Sequence, residues 1–190
     1  MKPDNRRLMQ ELREDHRNMA LVLDVLADTL GEAKADKDPD FELVEEIMRY
    51  MTVYPDAVHH PKEDLVYAQL QSLHPDLAEG LEDVAKDHQE IADLGTALRD
   101  DVEAIIAGAA VRREHFVTDC ERYVLRLRDH MQWEEDDLFK RIDTMIAEDE
   151  PATDLERFIH IKDPVFELEI EPVFRRLMAS LKSAQKYQAS

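Results

Sequence analysis

Turn-forming residues are scarce in this chain. Its 190 residues include 4 Gly and 8 Pro. That is too few for a sandwich or barrel, which turns every ten residues or so, and it leaves a small number of long elements. Cysteine is almost absent. Cys120 stands alone, so no internal disulfide can form, which suits a reducing cytoplasm. Positive charge is also short, with 24 Lys and Arg against 44 Asp and Glu for a net charge of -20. A field of that sign repels phosphate backbones and anionic lipid, so neither a nucleic acid nor a membrane surface is an expected partner. No apolar run is long enough to cross a bilayer, and the opening MKPDNRRLMQELREDH lacks the apolar stretch of a leader. What remains is 44% hydrophobic and 36% charged, the mixture of a globular cytoplasmic protein with a real core.

Helical spacing dominates the apolar residues. Met9, Leu12, His16, Met19, Leu23, Leu26 and Leu30 recur every three or four positions, the inner stripe of a bundle helix. The loop GEAKADKDPD (Gly31 to Asp40) leads to a second helix from about Phe41 to Leu73, with Val44, Met48 and Met51 inward. Pro55 and Pro61 fall inside it and predict a kink or a short break, since each removes a backbone donor. After SLHPDL, where Pro75 suits a first helical turn, a third helix carries Leu81, Val84, His88, Ile91, Gly95, Leu98, Val102 and Ile105. A turn near GAAV precedes a fourth, with Phe116, Cys120, Tyr123, Leu127, His130, Glu134, Leu138 and Met145 inward, ended by EDEPATD. The prediction is all-α: an up-down-up-down four-helix bundle over residues 1–148. A C-terminal helical extension over 149–190, with Val173, Phe174, Leu177, Met178 and Leu181 on its apolar face, should pack on it.

The chain also repeats. Asp15-His16 matches Asp87-His88 at a shift of 72 residues, and HHPKED (from His59) matches HMQWEE (from His130) at a shift of 71. Each copy reads His, then a long gap, then His-x-x-x-Glu, a duplicated helical hairpin. His16, His59, Glu63, His88, His130 and Glu134 all fall on inward stripes. Measured from loop centres near 37, 74 and 109, they sit within a turn or two of one level, at about 1.5 Å per residue.

Buried carboxylates cost several kcal/mol unless they are paired or metal-bound. Four imidazoles and two carboxylates in one ring are too many donors for a tetrahedral zinc. They suit two metals, each with two histidines and a share of two bridging glutamates. Iron is the expected pair, with manganese second. A bridging oxo or hydroxo group and a small diatomic or peroxide ligand would fill the remaining positions. In so acidic a chain some His-x-x-x-acid pairs arise by chance; His60/Asp64 and His115/Asp119 are read that way. His60 should be a surface residue paired with Asp64, or a replacement for His59 if the second helix is rotated. His74 lies in a turn, and nothing marks His115 or His160 as ligands. Tyr67 and Tyr123 are core filling first, with an outer hydrogen-bond donor or an iron ligand as the alternatives. Trp133, between two ligands, should shield the site.

On His16, HHPKE, DH at 87–88 and HMQWE, the chain resembles the hemerythrin-like proteins of the HHE cation-binding family over roughly residues 8–146. The resemblance implies a four-helix bundle around a non-haem di-iron centre bridged by Glu63 and Glu134. Members of that family variously bind oxygen, sense oxygen or iron, handle nitric oxide or decompose peroxide. The oxygen carriers among them have a fifth histidine one turn after the third-helix ligand, where this chain has Ala92, and Ala20 offers no substitute beside His16. That departure points away from reversible oxygen carriage. The expected function is binding or sensing of dioxygen, nitric oxide or iron and redox state, with peroxide decomposition as the enzymatic alternative. A sensor would need a protein partner, for which the C-terminal helix is the candidate surface.

Overall fold

The computed structural model describes residues 5–35, 37–146, 163–166 and 172–188. Its α-helices are α1 (Asn5–Lys34), α2 (Phe41–Tyr54), α3 (His60–Leu73), α4 (Leu81–Ile106), α5 (Arg113–Trp133), α6 (Phe139–Ile146) and α7 (Arg175–Gln188). No strand occurs among the described residues. A π-helical turn, Pro55–His59, joins α2 to α3, and another, Glu134–Leu138, joins α5 to α6. The bundle therefore has four rods: α1, α2–α3, α4 and α5–α6. Two arginines show the alternation of direction. Arg113 donates to the carbonyls of Ala33 and Lys37, placing the first and third connections at one end. Arg141 donates to the carbonyls of Leu77 and Glu79, placing the second at the other. The segment Asp163–Phe166 and α7 lie across α1 and α2.

Local chemistry explains the boundaries. Asp40 caps α2 by accepting from the Leu43 backbone N–H at 3.1 Å, and Glu42 in the first turn suits the helix dipole. At the end of α4, Gly108 takes φ +93°, while its N–H reaches Ile105 O and that of Ala109 reaches Ala104 O. This paired closure uses glycine because the left-handed conformation strains any residue with a Cβ.

The core is interrupted. One cluster holds Met19, Met51, Tyr54, Ile91, Leu127 and Met131 among others, and a second holds Leu12, Val66, Tyr67, Val84, Leu138 and Phe139. Along every rod the break falls at the polar residues His16, His59 to Glu63, His88, and His130 to Glu134. Each fully buried aliphatic side chain on either side contributes roughly 1.5–3 kcal/mol, and those contributions hold the polar layer in place.

Several boundaries differ from the pattern-based expectation. Helix α1 runs past Gly31 to Lys34, since a single glycine costs only about 1 kcal/mol inside a well-packed helix. Neither proline breaks the second rod. The ring of Pro55 is absorbed by the wider π turn, in which His60 N–H bonds Pro55 O five residues back, and Pro61 sits in the first turn of α3. Pro75 opens its own 3-10 turn, Pro75–Leu77, instead of entering α4. Val173 is exposed, whereas Phe174, Leu177 and Leu181 are buried. The Met145 side chain, EDEPATD and His160 lie outside the described residues.

At Gly95, α4 packs tightly against its neighbours. A Cβ there would meet the Tyr123 ring at 3.0 Å and Thr52 Cγ2 at 3.1 Å. Gly95→Leu is expected to cost about 1–3 kcal/mol by overpacking, read as a lower urea midpoint with helical circular dichroism retained.

Candidate metal centre

Four rods each contribute to one polar layer. His16 comes from α1, His59 from the end of the first π turn, Glu63 from α3 and His88 from α4. His130 comes from α5, and Glu134 opens the second π turn. Glu63 and Glu134 are fully buried, and His16, His59 and His130 nearly so. His59 and Glu63 share a face because they are four apart, with Nε2 3.2 Å from Oε1; His130 and Glu134 do the same at 3.3 Å. Glu63 faces both halves of the ring. Its Oε1 lies toward His59 and toward His16 at 3.7 Å, and its Oε2 lies 3.4 Å from His88 Nε2. Glu134 Oε2 is 3.4 Å from His16 Nε2, and His88 Nε2 and His130 Nε2 approach to 3.1 Å. The donors fall into three overlapping triads able to hold a cation: His16 with His59 and Glu63, His60 with Glu63 and His88, and His88 with His130 and Glu134.

The layer fits metal on its own geometry. His16 Nε2, both oxygens of Glu63 and Glu134 Oε2 are buried with no hydrogen-bond partner. Folded proteins seldom leave such atoms unpaired, because each costs about 1–3 kcal/mol or more. All four turn toward the same space, where cations would satisfy them together.

Behind the ring stand residues that helical spacing did not single out. His16 Nδ1–H donates to Glu135 Oε1 at 3.1 Å, and His59 Nδ1–H to Asp15 Oδ2 at 3.3 Å. Asp87 Oδ2 stands 3.7 Å from His130 Nδ1 and is itself ion-paired with Arg126. The bonds to Glu135 and Asp15 fix the tautomer of His16 and His59 so that Nε2 points inward, whereas His130 Nδ1 makes no hydrogen bond. The clue was present in the repeat: Asp15 and Asp87 each precede a ring histidine, and each turns to the histidine of the following rod. Asp15 also accepts from Tyr54 OH at 3.0 Å and from buried Lys62 at 3.3 Å. Tyr54 stacks on Tyr50, whose hydroxyl donates to buried Asp163 at 2.9 Å. Residues beyond the bundle thus reach the layer behind His59, a contact that no pattern in the C-terminal sequence announces.

The other candidates separate clearly. Tyr67 OH donates to Glu134 Oε1 at 2.7 Å, so it reaches the donor set, whereas the Tyr123 hydroxyl is buried without a partner. His60 is not an outer-surface residue. Its Nδ1 lies 3.2 Å from Asp56 Oδ1, and its ring stacks on His88 at 3.9 Å. Trp133 packs its ring against Gly80 and the second core cluster. His115 is exposed, and His74 caps the end of α3.

The model of the hemerythrin HHE cation binding domain matches residues 7–157. No curated protein and no solved structure matches the chain.

Without metal, protons balance the carboxylates. Burial lowers the His16 pKa, but Glu134, Glu135 and Glu63 outweigh it and hold the imidazole well above the ordinary 6.5. His59 behaves in the same way, with burial opposed by the Glu63 charge and the Asp15 bond. Burial alone would raise Glu63, yet His59 and His16 keep it well below the ordinary carboxylate range. Across the ring, burial and then His60 push His88 down to about 4. The folded pKa values of His16 and His59 exceed the unfolded ones, so their pairing stabilises fully below the unfolded value. It is lost as pH rises through the folded values. The urea midpoint of chelator-treated protein should therefore fall as pH rises above the ordinary imidazole value of 6.5, and His16→Gln should flatten that slope.

Proposed function

Because the chain belongs to the hemerythrin HHE cation-binding family, we propose that its polar layer binds a pair of iron ions. Manganese would be the second choice. His16, His59, Glu63, His88, His130 and Glu134 are the protein ligands in this reading. The observation that carries it is the set of partnerless buried atoms on His16, Glu63 and Glu134, which nothing else in the bundle satisfies. Imidazole and carboxylate together suit iron better than the thiolate-rich sets that select zinc. The division of Glu63 oxygens between His59 and His88 supports a carboxylate shared by two cations. When bound, such a pair supplies Lewis acidity and one-electron chemistry toward dioxygen, nitric oxide or peroxide.

Binding or sensing of such a small ligand, in the cytoplasm, is the favoured function. The chain's own residues contribute three things. The carboxylates behind Nδ1 orient the imidazoles, the Phe139 ring stacked on His16 at 5.2 Å limits its motion, and the apolar clusters above and below keep water from the glutamates. The acidic surface argues against nucleic acid, and no described helix is long and apolar enough to cross a membrane. A protein partner would dock on surface that includes α7.

His16→Ala and His88→Ala should each lower bound iron from two per chain toward one or none. They should also shrink the gap in Tm between metal-loaded and chelated protein, because ligation is coupled to folding. Glu63→Ala and Glu134→Ala should abolish the spectroscopic coupling between the metals. Unchanged iron content in all four variants overturns this ligand set.

One observation favours a second reading, decomposition of peroxide at the same site. Tyr67 places a hydroxyl on Glu134, and burial, together with the Glu63 and Glu134 charges, keeps that phenol protonated. It is a proton donor within reach of the layer. If the protein is an enzyme, Tyr67→Phe should slow oxygen evolution from peroxide about 10²-fold or more with iron content unchanged. A binding protein would show no such turnover in either form.

A further inference from the structure

The sequence of the second rod puts two histidines side by side, His59 and His60, ahead of Glu63. On a helix, residues three and four before a given position both neighbour it, one on each flank. Here His59 takes the flank facing His16, at 4.8 Å between ring centroids, and His60 takes the flank facing His88. One ring nitrogen of His60, one of His88 and one Glu63 oxygen all lie within 4.8 Å of each other. The His60 side chain is only 12% exposed.

His60 also carries the wiring of the ring histidines. His16 Nδ1 meets Glu135, His59 Nδ1 meets Asp15, and His60 Nδ1 meets Asp56 at 3.2 Å. A carboxylate at Nδ1 leaves Nε2 as the free donor atom, the arrangement that prepares a histidine to bind metal. A histidine that merely faced solvent would have no need of a nearly buried ring stacked at 17° on another imidazole. The π turn matters here, since Pro55–His59 ends at this pair and sets the rotation at which α3 begins.

We propose that His60 is an additional imidazole ligand, alongside His59 and not in place of it, on the cation held by His88, His130 and Glu134, to which Glu63 also turns one oxygen. The proposal rests on the paired-metal reading above. It makes the two positions chemically unequal: one has His16 and His59, the other His60, His88 and His130. The second position binds its metal more tightly, and the two ions load in order.

Loading the full-length protein with cobalt(II) and recording paramagnetic proton NMR tests this directly. Every histidine bound through Nε2 contributes one strongly shifted, exchangeable Nδ1–H signal. Wild-type protein should show such a signal from each of His16, His59, His88 and His130, and one more from His60. His60→Gln should lose that one signal alone, and the tighter of its two cobalt dissociation constants should weaken roughly 10-fold or more. Wild-type protein with only the four signals overturns the proposal, and so does a His60→Gln spectrum identical to wild type. These results leave the paired-metal reading intact. That reading itself falls if His16→Ala and His88→Ala leave every shifted signal in place, or if wild-type protein shows none. The wild-type count does not depend on any variant folding.

Discussion

Two carboxylates buried in the middle of a helical bundle are the constraint on which the rest of the structure depends. Glu63 and Glu134 have no exposure to solvent, and an isolated ionised carboxylate in that position would be prohibitively costly. Among the described residues, no lysine or arginine forms an ion pair with them. The bundle surrounds them with imidazoles, bases that accept a proton in the absence of metal and surrender it when a cation arrives. The raised His16 and His59 and the lowered Glu63 describe the first state, and the partnerless oxygens turned inward describe readiness for the second.

Such a layer is tolerable only because it is clamped. Apolar residues one turn above and below it on every rod exclude water and leave the donors little freedom. Carboxylates behind the imidazoles then set which nitrogen faces inward. Asp15 is the busiest of these, since His59, Tyr54 and Lys62 all donate to it. Through the stacked Tyr54 and Tyr50 it adjoins Asp163, which also accepts from the backbone N–H groups of Val165 and Phe166. The segment after the bundle is therefore packed against the support of a ring histidine and is more than a cover for α1 and α2.

The π turns show how local irregularity serves the layer. Each adds a residue to a turn, so the helix after it is rotated relative to the helix before it. One ends at His59 and the other begins at Glu134, so the two halves of the repeat are alike in residue pattern without being alike in backbone. Prolines at 55 and 61 explain the first. No proline lies in the second, which begins in the acidic run Glu134 to Asp137.

Periodicity and duplication were enough to determine the helices, their order, the inward stripes and the six polar residues that interrupt them, because those properties depend on spacing along a single rod. The Ala92 position and the lone Cys120 were equally plain. Other features needed neighbouring rods in place. The engagement of Asp15 with the histidine of the next rod, the contact of Tyr67 with Glu134, the turn of His60 onto His88 and the reach of Asp163 to Tyr50 all join residues on different elements. The second rod was legible from Phe41 to Leu73, but the form of its interruption was not: propensity says that proline disrupts a helix, and packing decides whether the disruption becomes a kink, a break or a π turn. Spacing within a helix is a local property of the chain, whereas the partner across the gap is chosen by how the helices rotate and stack.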